Sequence, residues 1–197
     1  MKKIELAVII GVAISLLTFN LGAFAKECDQ IRSSVLRLHV LANSDSKEDQ
    51  ELKEEVRDRI LSDTRGMFDN AEDLGDAGRQ AQQAIDAVRK TAEELLAEKG
   101  IDYSVEVGMT NMYFPTRTYD NLTFPAGNYD ALRVTIGSGS GQNWWCVLYP
   151  PLCVPASSSR KSISDVLSSE QDKIVKSNPK YEVRFAIVEW WQRIGRR

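Results

Sequence analysis

Three stretches of the chain alternate hydrophobic and polar residues, and we expect each to form a strand. The alternation is clearest in Val35–Leu41, where Leu36, Leu38 and Val40 share one face. Arg37 and His39 occupy the other face. A period of two residues is typical of a half-buried strand. The same pattern recurs in residues 103–107 and 130–136. Residues 144–149, which follow a Gly-Ser turn, are expected to return as the last strand.

Two longer stretches have the period of an amphipathic helix. In Lys47–Asp63, apolar residues recur every four positions, and the preceding Asn43-Ser44-Asp45-Ser46 is rich in helix-capping residues. Asp45 followed by Glu48 predicts a capping box. The carboxylates on the other faces of this helix indicate a solvated surface. After a polar connection at Asn70–Gly78, an alanine-rich apolar stripe predicts a second helix that ends at Gly100.

The end of the chain is less regular. Ser164 is expected to cap a short helix through Lys176, after a Ser-rich linker. The segment from Lys180 begins with strand-like alternation, but its length favours a helix. Trp190 and Trp191 in that helix favour packing on the core, and the arginines near them leave contact with a membrane surface as the alternative.

The predicted order of elements is β-α-α-β-β-β-α-α. We therefore expect an α+β fold, in which a small, mostly antiparallel sheet packs against helices. Residues 26–154 would form the core domain. Residues 155–197 would add a linker and C-terminal helices packed on or beside that core.

The first 25 residues are expected to direct export. Lys2 and Lys3 precede an apolar run, and Ala23-Phe24-Ala25 has the small residues at Ala23 and Ala25 that signal peptidase requires. Retention as an uncleaved membrane anchor is the alternative. Removing Lys2, Lys3 and Glu5 changes the formal net charge from −3 to −4. An acidic domain of this kind offers no electrostatic footprint for nucleic acid.

Export to an oxidising compartment also bears on the cysteines. Cys146 and Cys153 are separated by six residues that include Pro150-Pro151, a sequence able to reverse the chain. A disulfide between them is therefore sterically possible, and two buried thiols are the alternative. Cys28 is expected to be free or to cross-link to another chain.

Catalytic chemistry finds little support in the sequence. His39 is the only histidine, which excludes sites with several histidine ligands, and a neighbouring Arg37 would disfavour its protonated form. We expect His39 to be structural, with no metal and no cofactor. The Gly-Ser run at 137–141 precedes a strand instead of a helix, so it is not a phosphate loop.

Two features suggest a binding surface. Pro115, Thr116, Arg117 and Tyr119 are expected to form a polar loop leading away from a strand, with a composition common at protein interfaces. A structural connection is the alternative. Trp144 and Trp145 are successive strand residues and must point to opposite faces of the sheet. Trp144 is expected to be structural, and Trp145 to cover the other face or to meet a partner.

Three blocks of the sequence, Leu36–Asp58, Pro115–Cys153 and Tyr181–Gln192, resemble stage II sporulation protein R in order and spacing. The most specific match is GQNWWCVLYPPLC. The resemblance implies a secreted signalling protein, exported into the space between the forespore and mother-cell membranes. There it would activate a membrane-embedded aspartic protease that processes the precursor of the early mother-cell sigma factor. A secreted cell-wall hydrolase with a groove lined by Trp145 and Tyr149, or a passive wall-associated module, is the alternative.

Overall fold

The computed structural model describes residues 3–64, 66–152 and 162–176. Contacts divide the chain into two compact units. The larger unit comprises residues 33–114 and 128–168, and the smaller unit comprises residues 1–32, 115–127 and 169–197. The predicted C-terminal helix from Lys180, with Trp190 and Trp191, lies outside the described residues.

A four-stranded mixed sheet forms the centre of the larger unit, in the order β2-β5-β1-β6. The strands are β1 (Leu36–Leu41), β2 (Val105–Phe114), β5 (Gly127–Ile136) and β6 (Asn143–Tyr149). β1 pairs in parallel with β5, with Leu38 opposite Leu132, and antiparallel with β6, with Leu38 opposite Cys146. The α+β class is thus confirmed, and the sheet is mixed because β1 lies between a parallel and an antiparallel neighbour.

Two helices, α2 (Lys47–Asp63) and α3 (Leu74–Glu98), pack on one face of this sheet. Their apolar stripes meet the inward residues of β1 and β5. The central members of this core are Leu38, Val40, Val56, Ile60, Ala81, Ala92, Leu132 and Val134. Small alanines on α3 allow this helix to approach the sheet closely.

Both helix starts differ from the sequence-based expectation. Ser46, and not Asp45, is the N-cap of α2, because its Oγ accepts the backbone N–H of Asp49 at 3.2 Å. Helix α3 begins within the stretch predicted to be a connection, because Asp73 caps it by accepting the N–H of Asp76 at 2.8 Å. The end of α3 is as predicted, with Gly100 in a left-handed conformation (φ +68°).

The smaller unit contains α1 (Lys3–Arg32), the hairpin β3 (Arg117–Tyr119)–β4 (Leu122–Phe124) and α5 (Ser169–Val175). Helix α1 continues past Ala25, where an extended cleavage region was expected. Within the part of the chain that the structure describes, no helix has both the length and the apolarity that crossing a bilayer requires.

The hairpin corrects the expectation of a loop at residues 115–119. Arg117 pairs with Phe124 and Tyr119 with Leu122. Asp120 turns the chain with φ +50°, a conformation that aspartate tolerates better than most residues.

The single short helix that was predicted to run through Lys176 is instead two helices, because α4 (Ile163–Val166) ends before α5 begins. The N-cap of α4 is Ser162, not Ser164.

Candidate functional site

The face of the sheet opposite α2 and α3 carries several polar and aromatic side chains. Arg37 and His39 project from β1, and their sheet partners on this face are Ala131 and Arg133 of β5. Phe114, Tyr129 and Trp145 surround them. We call these five residues (Arg37, His39, Phe114, Tyr129 and Trp145) the aromatic face. The shared face of Arg37 and His39 is as predicted, but β1 is buried on both sides and not half-buried.

His39 is held by three neighbours and is only 2% exposed. Its ring stacks on Trp145 at 4.1 Å between centroids, with 8° between the planes, and meets the edge of Phe114 at 6.2 Å. Nε2 lies 2.7 Å from Asn143 Oδ1. Since a carbonyl oxygen accepts, Nε2 carries the proton in this arrangement.

Burial is the main reason that the pKa of His39 lies below its usual value. The hydrogen bond to Asn143 opposes this effect, and the positive charge of Arg133 adds to it. The sequence predicted that Arg37 would disfavour the protonated form of His39, but Arg37 is not among the causes of the lowered pKa. The imidazole is therefore a neutral packing group of the aromatic face, which agrees with the structural role predicted for it.

Arg37 is fully buried. Its guanidinium carbon lies 4.6 Å from the centroid of Phe114 and 5.0 Å from that of Tyr129. A desolvated cation over an aromatic ring is stabilised by about 2 kcal/mol. The charge thus orients two large rings on this face, a role that lysine would fill less well because it lacks the planar group.

The two tryptophans point to opposite faces, as predicted. Trp145 stacks on His39, whereas Trp144 packs against the core beside α2. The guanidinium of Arg57 lies 4.0 Å from the centre of the Trp144 ring. Trp144 is therefore structural, and half-buried Trp145 completes the aromatic face.

A β-bulge near the end of β6 separates Trp145 from Tyr149. The register with β1 shifts between Leu36 and Arg37, so that Tyr149 pairs with Leu36 while Val147 pairs with Arg37. Tyr149 therefore turns into the core, where it meets the edge of Phe68 at 6.1 Å and is fully buried. Trp145 and Tyr149 do not line one groove, which contradicts the geometry required for the hydrolase alternative.

A polar network fixes the loop after β1 to the Gly-Ser turn between β5 and β6. Asn43 accepts from the backbone N–H of Ser138 at 3.0 Å through its side chain. Its backbone oxygen accepts from the hydroxyls of Ser138 and Ser140, both at 2.7 Å. Asn43 therefore ties this loop to the turn, whereas Asp45 is exposed.

Asp49 is the member of this network that sequence reasoning missed, since it was counted among the solvated carboxylates of α2. It is 7% exposed, and its Oδ2 accepts from Ser44 Oγ at 2.6 Å and from Asn43 Nδ2 at 2.9 Å. These donors, Ser44 foremost, hold its pKa below the usual value against the opposing effect of burial. Its position three residues after the N-cap was the signal that could have identified it.

The predicted binding stretch lies at the hairpin of the smaller unit. Pro115 and Thr116 connect β2 to β3 and are half-buried. Arg117 is exposed, and Tyr119 is half-buried with its ring at 6.1 Å from Phe124, edge to face. Trp145, predicted with them, belongs to the larger unit.

The cysteines lie in different surroundings. Cys28 is a free thiol of α1, fully buried, and burial raises its pKa to about 12. It is therefore unreactive in the folded chain. Cys146 is buried in the core of the larger unit. Cys153 lies outside the described residues, so the disulfide between Cys146 and Cys153 stays a prediction.

Comparison with known proteins places this architecture in one family. The model of the family described as stage II sporulation protein R matches residues 32–159, from the end of α1 past β6. Stage II sporulation protein R of Bacillus subtilis strain 168 is 32% identical over 181 residues, and the match covers 81% of each chain. The chain belongs to the stage II sporulation protein R family. No solved structure matches it significantly.

Membership confirms the family expected from the resemblance and gives the chain a role in sporulation. The family description names no reaction. The matched region contains the aromatic face, the Asn43–Asp49 network and the β3–β4 hairpin.

Proposed function

We propose that this chain is an exported sporulation signal that binds and activates a membrane-embedded aspartic protease. The protease then processes the precursor of the early mother-cell sigma factor. The observation that carries this proposal is membership of the stage II sporulation protein R family over the whole sheet and both of its covering helices. The use of His39 and Asp49 for packing and hydrogen bonding supports a role in binding.

Polar side chains that could do chemistry are used here for packing. The imidazole of His39 is buried between Trp145 and Phe114, so a substrate has no access to it. Asp49 is occupied by Ser44 and Asn43. Among the described residues, no group of three or more His, Cys, Asp or Glu side chains has the geometry to hold a metal ion. This pattern favours an activator that acts by contact.

Export through the N-terminal segment is part of the proposal. Of the six exposed large hydrophobic residues among those described, five lie at its start, namely Ile4, Val8, Ile9, Ile10 and Val12. An export machinery could recognise this group of five exposed apolar side chains. Cleavage after Ala25 would leave Lys26 as the first residue. N-terminal sequencing of the exported protein should begin there, and an intact Met1 would contradict cleavage.

Recognition of the protease is assigned to the hairpin that carries Arg117. Among the described residues, Arg117 makes no ion pair, and its planar guanidinium can donate several hydrogen bonds to a partner. Tyr119 adds a rigid aromatic surface next to it. The direct test is reconstitution of the protease with and without this chain, because an activator must be required and must not process the precursor alone.

A further inference from the structure

The outer edge of β2 borders a cleft on each face of the sheet. A cleft of about 440 Å³ lies on the face of His39 and is lined by Glu106, Gly108, Thr110, Arg133, Thr135 and Ser138, among others. A second cleft of about 560 Å³ lies on the helix side, where Arg79, Gln82 and Gln83 of α3 meet β2 and Asp130. Met109 and Thr110 line both clefts. The middle of β2 is therefore open on both of its faces.

The assignment of the clefts to opposite faces follows from the register. Arg133 pairs with His39 in the sheet, and paired residues project to the same face. Val105, Val107 and Met109 pack toward the core on the helix side. By alternation, Glu106, Gly108 and Thr110 project to the other face.

In sequence, β2 carries few of the residues that usually protect an edge strand. It is 10 residues long, VEVGMTNMYF, with no proline or lysine and a single charge at Glu106. It ends the sheet, and among the described residues no strand pairs with its outer edge. Exposed edges of this length present unpaired backbone N–H and C=O groups to any extended chain.

We propose that an extended segment of the protease, on its extracytoplasmic side, adds to the outer edge of β2 as a further strand. This rests on the proposed function and adds a second contact surface, in the larger unit, to the hairpin that carries Arg117. Side chains of an added strand alternate between the two faces, so one row would enter each cleft. Main-chain hydrogen bonds would supply affinity, and the two clefts would supply specificity.

The charges at the cleft on the His39 face define the segment further. Arg133 and Glu106 are both exposed, and neither makes an ion pair with a described residue. The segment is therefore expected to place an acidic side chain opposite Arg133 and a basic one opposite Glu106. Gly108 leaves room between them, because a Cβ built there meets no atom within 4 Å.

The test uses Gly108→Val in the full chain, with binding to the detergent-solubilised protease measured directly. Valine suits a strand and removes the flexibility of glycine, so the thermal unfolding midpoint should be unchanged or higher. Filling the cleft should nevertheless weaken binding about tenfold or more, as for the loss of a central interface contact. Arg133→Glu should weaken binding similarly. Lys90→Glu, on the exposed surface of α3 outside both clefts, should not.

The outcomes separate this surface from the function on which it rests. If Gly108→Val is folded and binds the protease like the unchanged chain, the β2 edge is not the docking surface although activation stands. If the unchanged chain itself fails to bind the protease, both proposals are overturned. If sedimentation shows a dimer that Gly108→Val dissociates, the occupant is a second copy, and the protease segment is excluded.

Discussion

Gly141→Ala is expected to destabilise the larger unit strongly, with the largest loss of stability of any substitution considered. A Cβ at this position would lie 2.1 Å from the carbonyl oxygen of Ser44 and 2.5 Å from its carbon. Backbone atoms cannot rotate away as a side chain can. The N–H of Gly141 also donates to Ala42 at 3.0 Å, so the turn cannot move without breaking the contact between the β5–β6 turn and the β1–α2 loop.

The expected cost is about 3 kcal/mol, the upper end for overpacking in a closely packed site. Chemical denaturation followed by circular dichroism measures it. Gly108→Ala is the matched control, because the same added methyl group meets open space there. Equal stability of the two variants would show that the close approach of Gly141 to Ser44 does not determine the fold.

Arg117→Ala is expected to leave folding and secretion intact but to reduce processing of the sigma-factor precursor about 30-fold. The side chain is exposed on a hairpin strand, so its removal leaves no cavity. Loss of an interface anchor typically costs about 2 kcal/mol or more, which corresponds to this factor. Precursor processing, followed by immunoblot in sporulating cells that secrete equal amounts of each variant, gives the measurement.

Arg117→Lys distinguishes a planar contact from a simple charge. Lysine keeps the charge but lacks the multiple donors of the guanidinium, so it should restore processing only in part. Lys90→Ala, which removes an exposed cation of α3 paired with Glu94 and lying outside both clefts, should process normally. An Arg117→Ala chain that unfolds would show that the hairpin arginine is structural.

The main elements were predictable because local patterns encode them. The spacing of Leu52, Val56 and Ile60 identified α2 to the residue, and alternation identified β1 closely. Opposite directions of Trp144 and Trp145 followed from strand geometry alone. These predictions need no knowledge of which elements meet in space.

What failed depends on contacts between distant residues. The parallel pairing of β1 with β5 joins residues about a hundred positions apart, and alternation within a strand does not reveal its neighbours. The bulge that turns Tyr149 into the core is a property of the β1–β6 pair. Arg37 looked solvent-facing because its polarity is visible in sequence, whereas the rings of Phe114 and Tyr129 that cover it come from other strands.

The candidate surface was predictable only in composition. Arg117 and Tyr119 were identified as interface types, but nothing local showed that they lie on a hairpin, since the strands are only three residues long. The edge position of β2 was equally hidden. Its sequence is that of an ordinary strand, and its exposure follows from the order of the sheet.

Reconstitution of the membrane-embedded aspartic protease in lipid vesicles, with the sigma-factor precursor and the purified chain from Lys26 onward, tests the central claim most directly. The account predicts that the protease cleaves the precursor only when the chain is added to the extracytoplasmic side, and that the chain without protease cleaves nothing. Equal cleavage with and without the chain, or cleavage by the chain alone, would contradict it.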